Sequence, residues 1–181
     1  KDGEEFKLAG DPTETALVDL GIKLNMLKTT MDDENPRVEE IPFDSERKLM
    51  STVNNTNQGL FVYTKGGVDE ILSKCSKIYL DNQEMALSAE NINYIKQVNE
   101  EMAKGALRVL AMAYKRVDKV PTRNEMNNLE SELVYIGMVG MIDPARPEAK
   151  EAVEKCKTAG IKPVMITGDH KVTAMAIAKD I

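Results

Sequence analysis

Apolar and polar positions alternate along the chain in two different periods. After Asp11-Pro12, the residues Leu17, Leu20 and Leu24 recur at helical spacing, which predicts a helix from Pro12 with an indistinct end near Gly21. Residues 31–40 are polar and carry Pro36, and they read as a loop. A hairpin follows, with strands over 49–53 and 60–65 around the turn-forming run Asn54-Asn55-Thr56-Asn57-Gln58-Gly59. Asp69 opens a helix of about two turns carrying Ile71, Leu72 and Cys75. From Ser88 to Lys104, Ile92, Ile95, Val98 and Met102 line one face of a longer helix. Residues 107–114 read as a buried strand with one charge, Arg108. A polar link with a weak helix over 123–129 leads to a second apolar strand, 133–142. Pro147 opens and Gly160 closes a further helix. The apolar run Ile161 to Ile166 then reads as a strand ending in Thr167-Gly168-Asp169-His170, and a last helix begins at Lys171.

Hairpins and clustered helices in the first part predict an α+β domain with an antiparallel sheet flanked by helices, over residues 1–142. The rest, residues 143–181, reads as half of a βαβα unit, cut short before a parallel sheet can be complete. Composition narrows the function. Apolar residues make up 42% and charged residues 30%, enough for both a core and a solvated surface. A net charge of −6 without long like-charge runs argues against a nucleic-acid surface but leaves room for a local basic pocket. The two cysteines, Cys75 and Cys156, fall in separate helix-like segments without metal-binding spacing and read as reduced cytosolic thiols. One histidine, His170, cannot build a multi-histidine metal site. No apolar run approaches the roughly 18 residues of a membrane span. A start without Met is expected of an excised piece.

Several residues carry more than one reading. Glu14 is a first-turn carboxylate that suits the helix dipole, or a pocket acid. Phe43 stands in the charged link Phe43-Asp44-Ser45-Glu46-Arg47-Lys48. Lys48 and Lys65 come together at the open end of the hairpin, either as solvated strand ends or as an anion site. Gly66-Gly67 lets another group approach the backbone. Arg108, inside an apolar strand, needs an ion-pair partner or a ligand. A Thr-Gly-Asp loop at the carboxyl end of a strand is where open α/β sheets place ligands.

Taken in order, Gly10-Asp11-Pro12-Thr13-Glu14-Thr15-Ala16-Leu17, Phe43-Asp44-Ser45-Glu46-Arg47-Lys48, Lys65-Gly66-Gly67, Arg108-Val109-Leu110, Asp143-Pro144-Ala145-Arg146 and Thr167-Gly168-Asp169-His170 resemble the motifs of P-type cation-transporting ATPases. The set is similar to the calcium and sodium/potassium pump branch and spans nearly the whole chain. The resemblance implies a cytoplasmic nucleotide-binding domain up to residue 142, then the start of a haloacid-dehalogenase-like phosphorylation-domain segment. It implies that Phe43 stacks on adenine, that Glu14 meets the adenine edge and that Lys65, Gly66 and Lys48 belong to the pocket. It further implies that Arg108 reaches the phosphates and Leu110 forms an apolar wall. Asp143, Pro144 and Arg146 match the hinge, and Thr167, Gly168 and Asp169 match a loop that helps hold phosphate and magnesium in the intact pump.

Three departures stand out: Ser45 in place of arginine, Gly67-Val68-Asp69 in place of Ala-Pro-Glu, and Ala145 in place of a second hinge proline. The phosphorylated Asp-Lys-Thr-Gly-Thr motif does not occur in the sequence. The expectation is therefore an ATP-binding, magnesium-dependent piece of a cation pump, calcium favoured, inactive by itself in hydrolysis and with no metal site of its own. Its partners would be ATP and the pump's remaining phosphorylation, actuator and membrane domains. The rivals are a free-standing haloacid-dehalogenase-type phosphatase, with Asp143 as the substitute nucleophile, and a non-catalytic interaction domain built on Phe43 and the lysines.

Overall fold

A computed structural model of the chain describes residues 10–105, 107–121, 125, 128–142, 147–166 and 171–180. The expectations at Asp143, Pro144 and Arg146, and at Thr167, Gly168 and Asp169, lie outside these residues.

Helix α1 (Pro12–Lys23) starts as its sequence dictates. The Asp11 carboxylate accepts the Thr13 backbone N–H at 2.8 Å, Pro12 fills the first helical position and Glu14 lies in the first turn. The helix buries no residue completely, and Leu20 and Leu24 are exposed, so its leucine stripe is a loose contact rather than a core face. Helix α2 (Lys28–Glu34) and strand β1 (Arg37–Asp44) occupy the segment read as a loop. Period-2 alternation is hidden in β1 because it is an edge strand with mostly exposed side chains. Strands β2 (Leu49–Thr56) and β3 (Gly59–Gly66) form the expected hairpin in continuous register from Leu49↔Gly66 to Thr56↔Gly59.

Helix α3 (Val68–Lys74) follows at once and ends in strand β4 (Cys75–Leu80), which turns through Asp81 and Asn82 into β5 (Gln83–Ala86). Both turn residues have positive φ, 50° and 64°, the conformation that suits a tight hairpin. The sequence reading passed over this hairpin and placed Cys75 in a helix; the thiol instead begins β4. Helix α4 (Ala89–Lys104) is closed at its start by a capping box between Ser88 and Asn91. Strands β6 (Arg108–Val117) and β7 (Leu133–Met141) agree with the two apolar runs, and α5 (Pro147–Thr158) and α6 (Lys171–Asp180) with the two late helices.

The strands form one sheet in the order β1-β2-β3-β6-β7-β4-β5. Every pairing is antiparallel except β4 with β7, which is parallel. The expected antiparallel sheet is thus a mixed one. The cause is α3, which packs on β3, β6 and β7 and delivers the chain to the far side of β7. Helices α3 and α4 cover one face through Ile71, Leu72 and Ile95, over Leu49, Ala111, Ala113 and Leu133. Farther along the sheet, Val53, Val62 and Leu129 make a second, smaller core.

Residues 161–166 form no strand, and Ile166 is 93% exposed. A parallel strand needs a neighbour for its N–H and C=O groups, and none of the described strands pairs with this run. The strand expected at 161–166 is therefore not formed. No helix among them is long and apolar enough to cross a membrane.

Candidate functional site

A cross-sheet row organises the candidate residues. Asp44 pairs with Leu49, Leu49 with Gly66, Gly66 with Ala111 and Ala111 with Met138. Phe43 and Lys65 stand one residue to one side of this row and Lys48 and Leu110 one residue to the other, so the row gathers candidates from β1, the turn after it, β3 and β6. With strands about 4.8 Å apart, β1 to β3 spans roughly 10 Å, the length of a nucleoside. Lys65 pairs with Met112 across β3 and β6, which puts Lys65 and Leu110 on the same sheet face.

The face opposite α3 and α4 is where α1 meets the sheet. The Lys65 ammonium, 22% exposed, donates to the Glu14 carboxylate at 2.5 Å. This contact joins residues 51 positions apart and seats the first turn of α1 beside the end of β3. At the same helix start, the Arg108 guanidinium donates to the Thr13 hydroxyl at 3.3 Å. Backbone N–H donation from Thr13 holds the Asp11 carboxyl below the usual carboxylate range, and the nearby Arg108 charge adds to this. Arg108 is exposed at the first position of β6, so the expected buried charge is corrected. The strand's apolar run surrounds Arg108 in sequence but leaves it at the sheet's end in space.

Lys48 sits in the turn from β1 to β2 with φ 54°, a left-handed backbone that costs a non-glycine residue about 1 kcal/mol. Its ammonium donates to Glu70 on α3 at 2.8 Å. That hydrogen bond raises the lysine pKa and lowers the glutamate pKa. Gly66 lies under this turn: a Cβ there would stand 2.4 Å from the Lys48 carbonyl oxygen. Glycine is required because the Lys48 backbone crosses it, accepting also the Gly67 N–H at 3.3 Å.

Phe43 is 64% exposed, with an open ring face at the end of β1. The arrangement offers an exposed aromatic and, at the start of α1, Glu14 with Lys65 and Arg108, while Lys48 is held toward α3 by Glu70. Thr13 and Glu70 were missed from sequence, because each matters only through a partner distant along the chain. Among the described residues no cluster of His, Cys, Asp and Glu is placed to hold a metal ion.

Compared with known proteins, residues 1–148 match the family model described as P-type ATPase, cytoplasmic domain N. A calcium-transporting ATPase of Listeria monocytogenes is 44% identical over 177 residues, covering 98% of this chain and 20% of the relative. Calcium-transporting ATPase 1 of Bacillus cereus is 43% identical over 172 residues, covering 95% of this chain and 19% of the relative. The sodium/potassium-transporting ATPase subunit alpha-2 of Gallus gallus is 38% identical over 184 residues, covering 96% and 18%. The chain spans about a fifth of the length of these relatives.

Proposed function

The chain belongs to the P-type cation-transporting ATPases, and on that premise we propose that it is the part of such a pump that binds ATP and presents the γ-phosphate to an aspartate elsewhere in the protein. Residues 1–142 form the nucleotide-binding domain and 143–181 the start of the second phosphorylation-domain segment. The observation that carries the reading is the Glu14–Lys65 contact at 2.5 Å, made beside the sheet row that Phe43 and Leu110 adjoin.

Phe43 stacks on adenine, a contribution of about 1–3 kcal/mol. Glu14 accepts from the exocyclic amine, which favours adenine over guanine. Lys65 closes the pocket, Lys48 and Arg108 supply positive charge for the phosphates, Gly66 keeps the two hairpin strands close, and Leu110 walls the base. Asp143, Pro144 and Arg146 serve as the hinge. Thr167, Gly168 and Asp169 support phosphate and magnesium in the intact pump, where magnesium neutralises charge on the transferring group. Calcium is the favoured ion, supported by two bacterial relatives named as calcium-transporting ATPases. The domain is cytoplasmic, and its partners are ATP and the remaining phosphorylation, actuator and membrane domains.

Titration with ATP, followed by NMR, tests the site. Binding in the range of about 0.1 to several mM is expected, with shifts around Phe43, Lys65 and Glu14 and weaker binding of GTP. Shifts confined to residues 167–170 would remove the adenine assignment.

A further inference from the structure

Phe43 is a platform only if its ring is held still, and nothing packs its exposed side. The turn that carries it is held from elsewhere. Asp44 closes it locally: its carboxylate accepts the backbone N–H of Glu46 at 3.0 Å and of Arg47 at 2.9 Å, and its carbonyl accepts the Lys48 N–H at 2.6 Å. Arg47 then spans the turn. Its guanidinium donates to the Pro42 carbonyl at 2.7 Å and the Leu49 carbonyl at 3.2 Å, one on each side of residues 43–48. A third donation goes to the carboxylate of Glu130, 83 residues away.

Glu130 is itself fixed. It is 7% exposed and accepts from the Ser51 hydroxyl at 2.7 Å, while Ser51 shares a further hydrogen bond with Thr64 at 2.9 Å. Its neighbour Leu129 is buried against Val53 and Val62. Lys115 donates to the carbonyls of Asn128 at 3.3 Å and Ser131 at 2.9 Å, pinning the segment around Glu130 to β6. A buried carboxylate of this kind demands its cation, since removing one partner of a buried pair leaves an uncompensated charge.

We propose that Arg47 and Glu130 are positioning residues for nucleotide binding: they clamp the 43–48 turn to the sheet and so preset the ring of Phe43 for the base. The proposal rests on the reading of Phe43 as the adenine platform and adds to it a support for that ring, the segment that carries Glu130. Neither side chain touches the nucleotide. Their effect passes through Phe43, because less ordering remains to be done when the base arrives.

A double-mutant cycle separates this role from a merely structural one. ATP and adenosine affinities are measured for the unaltered chain, Phe43→Ala, Arg47→Lys, Glu130→Gln and the double variant Phe43→Ala/Arg47→Lys, each below its own melting temperature. Lysine keeps the charge but loses the fork that spans the turn. Arg47→Lys and Glu130→Gln are each expected to weaken adenosine about three- to tenfold, part of the full stacking contribution, and ATP by that factor or more, because Lys48 rides on the same turn. In the Phe43→Ala background, Arg47→Lys is expected to cost adenosine nothing further. An equal loss with and without Phe43, or a loss for ATP but not adenosine, overturns the positioning role while leaving the nucleotide site standing. If the unaltered chain binds no nucleotide, or Phe43→Ala binds it unchanged, the site reading falls first and the clamp with it. Should Arg47→Lys fail to fold, Glu130→Gln and its double with Phe43→Ala complete the same cycle.

Discussion

Phe43, Lys65 and Arg108 show how differently single residues are legible. Phe43 reads correctly as an exposed aromatic, because a charged link offers it no core to enter. Its replacement by alanine is expected to cost about 1–3 kcal/mol of ATP affinity, read by calorimetry, with no change in melting temperature. Lys65→Ala should weaken ATP more than AMP if its charge acts on the phosphates, and both equally if it only closes the pocket. Arg108 was misjudged by its neighbours in sequence. Sitting exposed at the strand's start, Arg108→Ala is expected to shift stability by no more than about 0.5 kcal/mol while weakening ATP more than adenosine. A large drop in melting temperature would return Arg108 to a structural role. The pairing of Lys48 with Glu70 was not legible at all, because its partner is 22 residues away on a helix whose orientation depends on packing.

At the scale of elements, the β2–β3 hairpin carries Lys65, and Gly66 is its tightest point. An added Cβ would also meet the Leu49 side chain at 2.5 Å, so backbone and core both resist. Gly66→Ala is expected to destabilise the chain by about 1–3 kcal/mol, measured by urea unfolding, and to weaken ATP binding in the same variant. Unchanged values for both would mean that the strands can part at no cost there. Helix α4 was legible because burial of one face writes the period into the sequence, and β6 because its run is apolar almost throughout. Strand β1 and the β4–β5 hairpin were not, since exposed edges need no apolar alternation. The run 161–166 failed in the opposite way: it has a strand's composition without a strand to pair with.

For the whole molecule, the one sheet sets both stability and the limit of activity. Burial raises the pKa of Tyr114 and of Tyr135 to about 12, and for Tyr114 the hydrogen bond to Glu84 adds to this. The unfolded value is about 10, so the neutral phenol is favoured by folding. This stability is fully present below pH 10 and is lost as pH rises toward 12. Both phenols are therefore expected to titrate well above pH 10 in the folded chain, followed by absorbance in an alkaline titration; ionisation of every tyrosine near pH 10 would contradict the raised values. The chain is also expected to form no acyl-phosphate and to turn over no ATP, because phosphoryl transfer needs a positioned carboxylate nucleophile in line with the γ-phosphate. Acid-quenched incubation with labelled ATP and Mg²⁺ checks this, and turnover abolished by Asp143→Asn would favour the soluble phosphatase reading. The sequence by itself determined the Asp11–Pro12 helix start, the β2–β3 hairpin and α4, because capping, turn chemistry and periodic burial are local. Tertiary structure alone decided that β4 runs parallel to β7, that Arg108 faces solvent and that Arg47 finds Glu130. Those outcomes depend on which distant surfaces meet when α3 crosses the sheet, and no local pattern records that meeting.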